Sequence, residues 1–125
     1  YYQVKYGFIP HTLSEDGDPV DAAVVGQIPV SPGVIIRCRP IGVLLMEDEK
    51  GIDEKILCVP VDDLHPYYAN IASYRELPRV LRDQISHFFA HYNDLEEGKW
   101  VKVKRWGEPE EAFTLIRQGM ERGQG

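Results

Sequence analysis

Over the first two thirds of the chain, short apolar runs alternate with turn-forming residues, and a helical period sets in only afterwards. Asp21-Ala22-Ala23-Val24-Val25 has the length and apolar character of a buried strand, and Gly26 closes it. In Ser31-Pro32-Gly33 the proline suits the first central position of a turn and the glycine the second. Residues 34–39 and 41–46 read as strand segments, with Pro40 between them predicting a bend or a sheet edge. Residues 55–59 supply a further strand. Several short strands with turn signals between them predict a small barrel or sandwich.

A helix then interrupts over residues 78–92. Pro78 suits its first turn, where a missing N–H costs nothing. Leu81, Ile85, Phe88, Phe89 and Tyr92 recur at helical spacing, so that face must pack on the sheet. After Gly98, residues 99–104 alternate with period two, as a half-buried strand does. Gly107-Glu108-Pro109 stops that strand. Residues 110–120 then form a second amphipathic helix with acids in its first turn, and residues 123–125 read as a frayed tail. The fold class is therefore mainly β with α, an α+β domain.

The 125 residues suit one domain with a real core, and 43% hydrophobic residues is ordinary for a soluble protein. No apolar run approaches the ~18 residues of a membrane span, and no secretory signal opens the chain. The first residues are Tyr1-Tyr2 rather than Met, with a strand-like pattern beginning at once. The expectation is that an N-terminal part of the domain is missing. Cys38 and Cys58 lie in apolar runs, as small core side chains in a reducing cytoplasm do. A net charge of −6 argues against a nucleic-acid or anionic-membrane surface, though not against a phosphate substrate escorted by divalent cations.

The candidate chemistry starts at Asp16-Gly17-Asp18-Pro19-Val20-Asp21, three carboxylates within six residues. Anions this close repel unless a cation lies between them. Taken alone, an Asp-Gly-Asp stretch is more often a polar turn. It is not an EF-hand loop, whose spacing needs further ligands. A second acidic patch, Glu47-Asp48-Glu49 with Asp53, falls in a short connection between strands, so two acidic turns can converge on one end of a barrel. Mg2+ suits such a site, because it accepts few carboxylates and keeps waters or phosphate oxygens for its remaining positions. Neither cysteine has a CxxC partner, which speaks against structural zinc. Tyr2, Tyr6, Lys55 and Tyr92 are donors of the kind that hold phosphate oxygens, yet each has a plain reading as a core or edge residue.

In combination these segments carry a specific likeness. Tyr6-Gly7-Phe8-Ile9, the Asp16–Asp21 motif, Arg37-Cys38-Arg39-Pro40-Ile41-Gly42, Asp48 and Asp53-Glu54-Lys55 resemble, in register, the soluble family I inorganic pyrophosphatases of the shorter prokaryotic type. His87-Phe88-Phe89-Ala90-His91-Tyr92 and Gly98-Lys99-Trp100-Val101 continue the likeness to about Trp106.

The resemblance implies a five-stranded OB-like β-barrel flanked by two helices, with an acidic cavity for several Mg2+ ions. It implies hydrolysis of pyrophosphate to two orthophosphates by attack of a metal-activated water. Asp16, Asp21, Asp48 and Asp53 would be metal ligands, and Asp18 the carboxylate that orients and deprotonates the water. Tyr6, Lys55 and Tyr92 would bind phosphate oxygens, with Tyr2 in support. A compact cytoplasmic homo-oligomer, typically a hexamer, is implied as well.

Some positions depart from the family pattern. Asn93 stands where a Lys is common, and Gln3 and Lys5 replace the usual Pro and Asn. Basic residues and further carboxylates that family members carry before the first tyrosine are not in this sequence, which predicts greatly reduced or absent turnover for the chain as given. His87 and His91 form an i, i+4 pair, a spacing that can ligate zinc on a helix, but their place on the flank of the helical stripe favours a subunit contact. Their protonation would make assembly pH-sensitive. Two other readings stay open: a non-catalytic divalent-cation-binding barrel module, and a nucleic-acid- or oligosaccharide-binding OB barrel, which the acidic charge disfavours.

Overall fold

The computed structural model describes residues 4–26, 33–61, 70–91 and 97–124. Five strands, β1 (Val4–Ile9), β2 (Val20–Val25), β3 (Cys38–Asp48), β4 (Gly51–Pro60) and β5 (Val101–Gly107), are joined by two helices, α1 (Arg79–His91) and α2 (Pro109–Gln124). The strands form one mixed sheet in the order β1-β2-β4-β3-β5. All neighbours pair antiparallel except β2 and β4, which run parallel. The expected α+β class holds, with five strands and two helices. Among the described residues β1 and β5 do not pair, so the sheet is an open one. The aromatic end of α1 reaches the β1 edge, where Phe88 stacks on Tyr6 with ring centroids 3.9 Å apart.

Period-two alternation sorts the strand residues onto two faces. One face carries Ala23, Val25, Leu44, Met46, Leu57 and Val59, and packs against Leu81, Ile85 and Phe89 of α1. Those helix residues lie at i, i+4 and i+8, which is why they share one stripe. The opposite face carries Val20, Ala22, Val43, Ile56 and Cys58 and packs against Ala112, Leu115 and Ile116 of α2. The molecule is thus a sheet between two helices, each covering its own core.

Several boundaries differ from the sequence reading, each for a local reason. Residues 34–37 are not strand. The ladder with β4 begins at Cys38 opposite Pro60, and N-terminal to it Val34 and Ile35 are exposed. Pro40 produces a bulge between Pro40 and Gly42 within a continuous β3. The acidic connection after Met46 is itself strand, with only Glu49 and Lys50 at the turn. The Lys50 N–H donates to Asp48 Oδ1 at 2.9 Å, and Gly51 takes a positive φ of 123° that tightens the hairpin. Pro78 precedes α1, its carbonyl accepting from the Leu81 and Arg82 N–H groups. Phe88 is partly exposed rather than core.

The tail expected to fray is helical as far as Gln124. Gly119 and Gly123 let α2 close on the chain before β2, since a Cβ would stand 2.9 Å from Val20 Cγ2 at the first and 2.6 Å from the His11 carbonyl oxygen at the second. The two cysteines are free, as expected, and burial pushes the Cys38 thiol up to about 11. Among the described residues no helix is long and apolar enough to cross a membrane.

Candidate active site

At one end of the α1-covered face the apolar alternation gives way to charge. Asp21 on β2 stands opposite Lys55 on β4 in the parallel ladder. Asp53 is two residues before Lys55 and therefore on the same face, and Asp48 lies across the β3–β4 hairpin beside Gly51. Strand pairing alone thus gathers three carboxylates and an ammonium that are far apart in sequence.

Lys55 is the centre of this group. Its side chain is 3% exposed, with Nζ 2.6 Å from Asp21 Oδ2 and 2.9 Å from Asp53 Oδ2. The ammonium also sits 5.2 Å from the centroid of the Phe89 ring, a cation–π contact from beneath. Burial pulls its pKa down, but the hydrogen bond to Asp21 and the charge of Asp53 outweigh it, so Lys55 stays protonated with a pKa above that of a free lysine. Asp53 is held above the usual carboxylate range, first by burial and then by Asp21 and Asp48, with Lys55 opposing. Asp21, Asp48 and Asp53 thus gather around one ammonium.

The second wall is the turn leading into β2. The Asp18 N–H donates to Asp16 Oδ1 at 2.9 Å, the Gly17 N–H to the Ser14 carbonyl at 3.0 Å, and the Ser14 N–H to the Asp18 carbonyl at 2.7 Å. Gly17 supplies the positive φ of 88° that this loop needs. The polar-turn reading of the motif is correct at this level. The same turn nevertheless faces a cavity of about 230 Å3 lined by Asp16, Asp18, Asp21, Asp48, Asp53 and Lys55, among others.

Glu49 and Lys99 also line it; Glu49 was expected only as part of the second acidic patch, and Lys99 carried no role in the sequence reading. Lys99 Nζ lies 3.4 Å from Glu49 Oε1, and the Trp100 N–H donates to Glu49 Oε2, so the hairpin tip is tied to the approach to β5. The Gly98-Lys99-Trp100 string was the available signal, and its cation gains meaning only once β5 is placed beside β3.

A family model described as inorganic pyrophosphatase matches residues 1–124. The chain belongs to the inorganic pyrophosphatase family. It is 58% identical over 122 residues to the inorganic pyrophosphatase of Caulobacter vibrioides, covering 98% of this chain and 69% of that one. A crystal structure described as an inorganic phosphatase from Anaplasma phagocytophilum superposes with a TM-score of 0.91 at 48% identity, covering 96% of this chain and 70% of that one. The inorganic pyrophosphatase of Helicobacter pylori superposes with a TM-score of 0.89 at 42% identity, covering 96% and 71%. The family expected from the motif is therefore the one found.

Of the residues expected from the family pattern, Asp16, Asp18, Asp21, Asp48, Asp53 and Lys55 converge on the cavity. Tyr6 is on the same sheet face one strand beyond Asp21, but it stacks on Phe88 and lines a neighbouring apolar groove with Phe8 and Ile35. Burial raises its phenol above the ordinary value, so it remains a hydroxyl donor. The His87 and His91 rings lie 4.3 Å apart, tilted by 35°, on the exposed flank of α1, and neither lines the acidic cavity. Tyr2, Tyr92 and Asn93 lie outside the described residues.

Proposed function

We propose that the chain hydrolyses inorganic pyrophosphate to two orthophosphates at the acidic cavity, with Mg2+ as cofactor. The enzyme class, inorganic diphosphatase, follows from the family. The observation that carries the finer reading is the buried Lys55 bridging Asp21 and Asp53 at the edge of a carboxylate-lined cavity. An all-oxygen donor set with no imidazole or thiolate suits a hard divalent cation. Among the described residues no three such ligands form a ready-made cage. Mg2+ retains water and binds through one or two carboxylates at a time.

Asp16, Asp21, Asp48 and Asp53 would hold the cations. When bound, these neutralise phosphate charge and lower the pKa of water from ~15.7 towards neutrality. Asp18 accepts the proton of the attacking water, for which a carboxylate needs only hydrogen-bond reach. The water oxygen bonds to one phosphorus in line as the bridging P–O bond breaks, and the bridging oxygen leaves with the second orthophosphate. Lys55 offsets charge on the phosphate oxygens, as an ammonium that stays charged at neutral pH can. Tyr6 and Tyr92 donate hydroxyl hydrogen bonds to the same oxygens, and Tyr2 supports them. His87 and His91 serve a contact between copies of a cytoplasmic homo-oligomer, for which a hexamer is the proposed state.

Phosphate release from pyrophosphate, with Mg2+ and with chelator, tests the reading. Activity only with Mg2+ is expected, and Asp18→Asn should lower kcat at least about a hundredfold at unchanged circular dichroism. Mg2+ binding without phosphate release would instead support the non-catalytic cation-binding reading. Full activity in Asp18→Asn would remove Asp18 as the base.

A further inference from the structure

We propose that Arg122, in the last turn of α2 on the face opposite the cavity, is a positioning residue that fixes the Asp16–Asp18 turn. This rests on the reading of that turn as the seat of the base. The turn is closed on itself by its own hydrogen bonds, so its orientation depends on how its two ends are held. The downstream end enters β2 at Val20, whose N–H donates to Thr12 Oγ1 at 3.2 Å. The upstream end is held by α2. Leu13 donates its N–H to the Gly119 carbonyl at 2.9 Å and accepts from Arg122 Nη1 at 3.1 Å, so both its backbone groups are fastened to the helix.

The close approach that permits these bonds is built into the helix. Gly119 and Gly123 leave room for Thr12 and for the His11 carbonyl, and His11 itself turns the chain with a φ of 61°. Charge completes the clamp. Arg122 Nη2 lies 3.7 Å from Glu15 Oε1, next to Asp16. Without the guanidinium, Glu15 loses its ion-pair partner and the Leu13 carbonyl loses its donor. Both changes loosen the turn on the side that carries Asp16 and Asp18. They leave Lys55, held by β2 and β4, where it is.

The separation predicts a split in kinetics. In Arg122→Gln, kcat should fall about ten- to a hundredfold, the size expected when a reacting group is misplaced from a distance. KM should stay within about twofold, because the phosphate-holding ammonium is undisturbed. Amide hydrogen exchange should accelerate at Leu13 and Ser14 and stay unchanged at Ile56 and Val59. Arg122→Lys, which keeps a donor for Leu13 and a charge for Glu15, should recover most of kcat. A purely structural helix cap would lower the melting temperature without moving kcat, and that result overturns the proposal. So does unchanged exchange at Leu13 and Ser14. The exchange measurement does not depend on turnover, so an inactive parent protein would sink the functional reading alone.

Discussion

The two faces of the sheet use their helices differently. On one, α1 buries Leu81, Ile85 and Phe89, large side chains worth about 1.5–3 kcal/mol each when removed from water. That core grades without a break into the charged site, since Phe89 lies under the Lys55 ammonium. On the other, the fully buried residues of α2 are Ala112 and Gly119; Leu115 and Ile116 pack half-buried on the sheet, while Gly119 and Gly123 bring the helix backbone up against residues 11–13. A helix that packs through bulk stabilises the sheet. One that packs through small residues can hold a neighbouring segment in an exact position, because little flexible side chain stands between the two backbones. In this molecule the first supports the floor of the cavity and the second supports its rim.

Mutations that separate stability from placement sharpen this contrast. The largest loss should come from Phe89→Ala, which opens a cavity beneath both Tyr6 and Lys55 and should cost about 4 kcal/mol in urea unfolding. Lys55→Met, measured in chelator, should cost about 3 kcal/mol, because it leaves the largely buried Asp53 beside Asp21 with no ammonium between them. The sign with pH is defined. The folded pKa of Lys55 is above its unfolded value, so its contribution is fully present below about pH 10 and disappears as pH rises through the folded value. The gap between the parent and Lys55→Met should therefore be constant from neutrality to about pH 9 and then close.

On the α2 face the effects should be smaller. Gly123→Ala places a methyl 2.6 Å from the His11 carbonyl oxygen and should cost about 1–2 kcal/mol, with chemical-shift changes centred on residues 11–18 rather than on α1. If the changes spread evenly over both faces, the division of labour is wrong. Smallest is Glu54→Gln. Burial, with Asp53 and Glu15, raises the folded pKa of Glu54, so its ionised form opposes folding above that value. The variant should be slightly more stable at neutral pH, an effect damped by solvent, and the gain should vanish as pH falls below the unfolded carboxylate range. Thermal melts across that range are the check.

Much of this was legible in the chain. Short apolar runs between turn signals located the strands at residues 21–25, 41–46 and 55–59, and period-two alternation located the one at 99–104, because burial on a sheet writes itself into local sequence. The i, i+4 stripe of Leu81, Ile85 and Phe89 did the same for α1. The acidic motif, Asp48, Asp53 and Lys55 were legible as a set through family likeness, and the cavity contains all of them. Less legible were features that depend on a distant partner. Among the described residues the expected strand over 34–39 begins only at Cys38, where the ladder with β4 starts, and α2 outran its predicted end because its terminal glycines meet His11 rather than solvent.

By itself, then, the sequence determined the class and the strand and helix faces, since these follow from periodicity and local turn chemistry, while its likeness to a family singled out the candidate site residues. Tertiary structure alone decided that Lys55 would lie between Asp21 and Asp53, because that depends on β2 and β4 pairing in parallel across 34 residues. It also decided that Arg122 would hold Leu13, 109 residues away, and so reach the acidic turn from the opposite face of the sheet. Contacts of that span are set by packing geometry, and no local pattern in the chain encodes them.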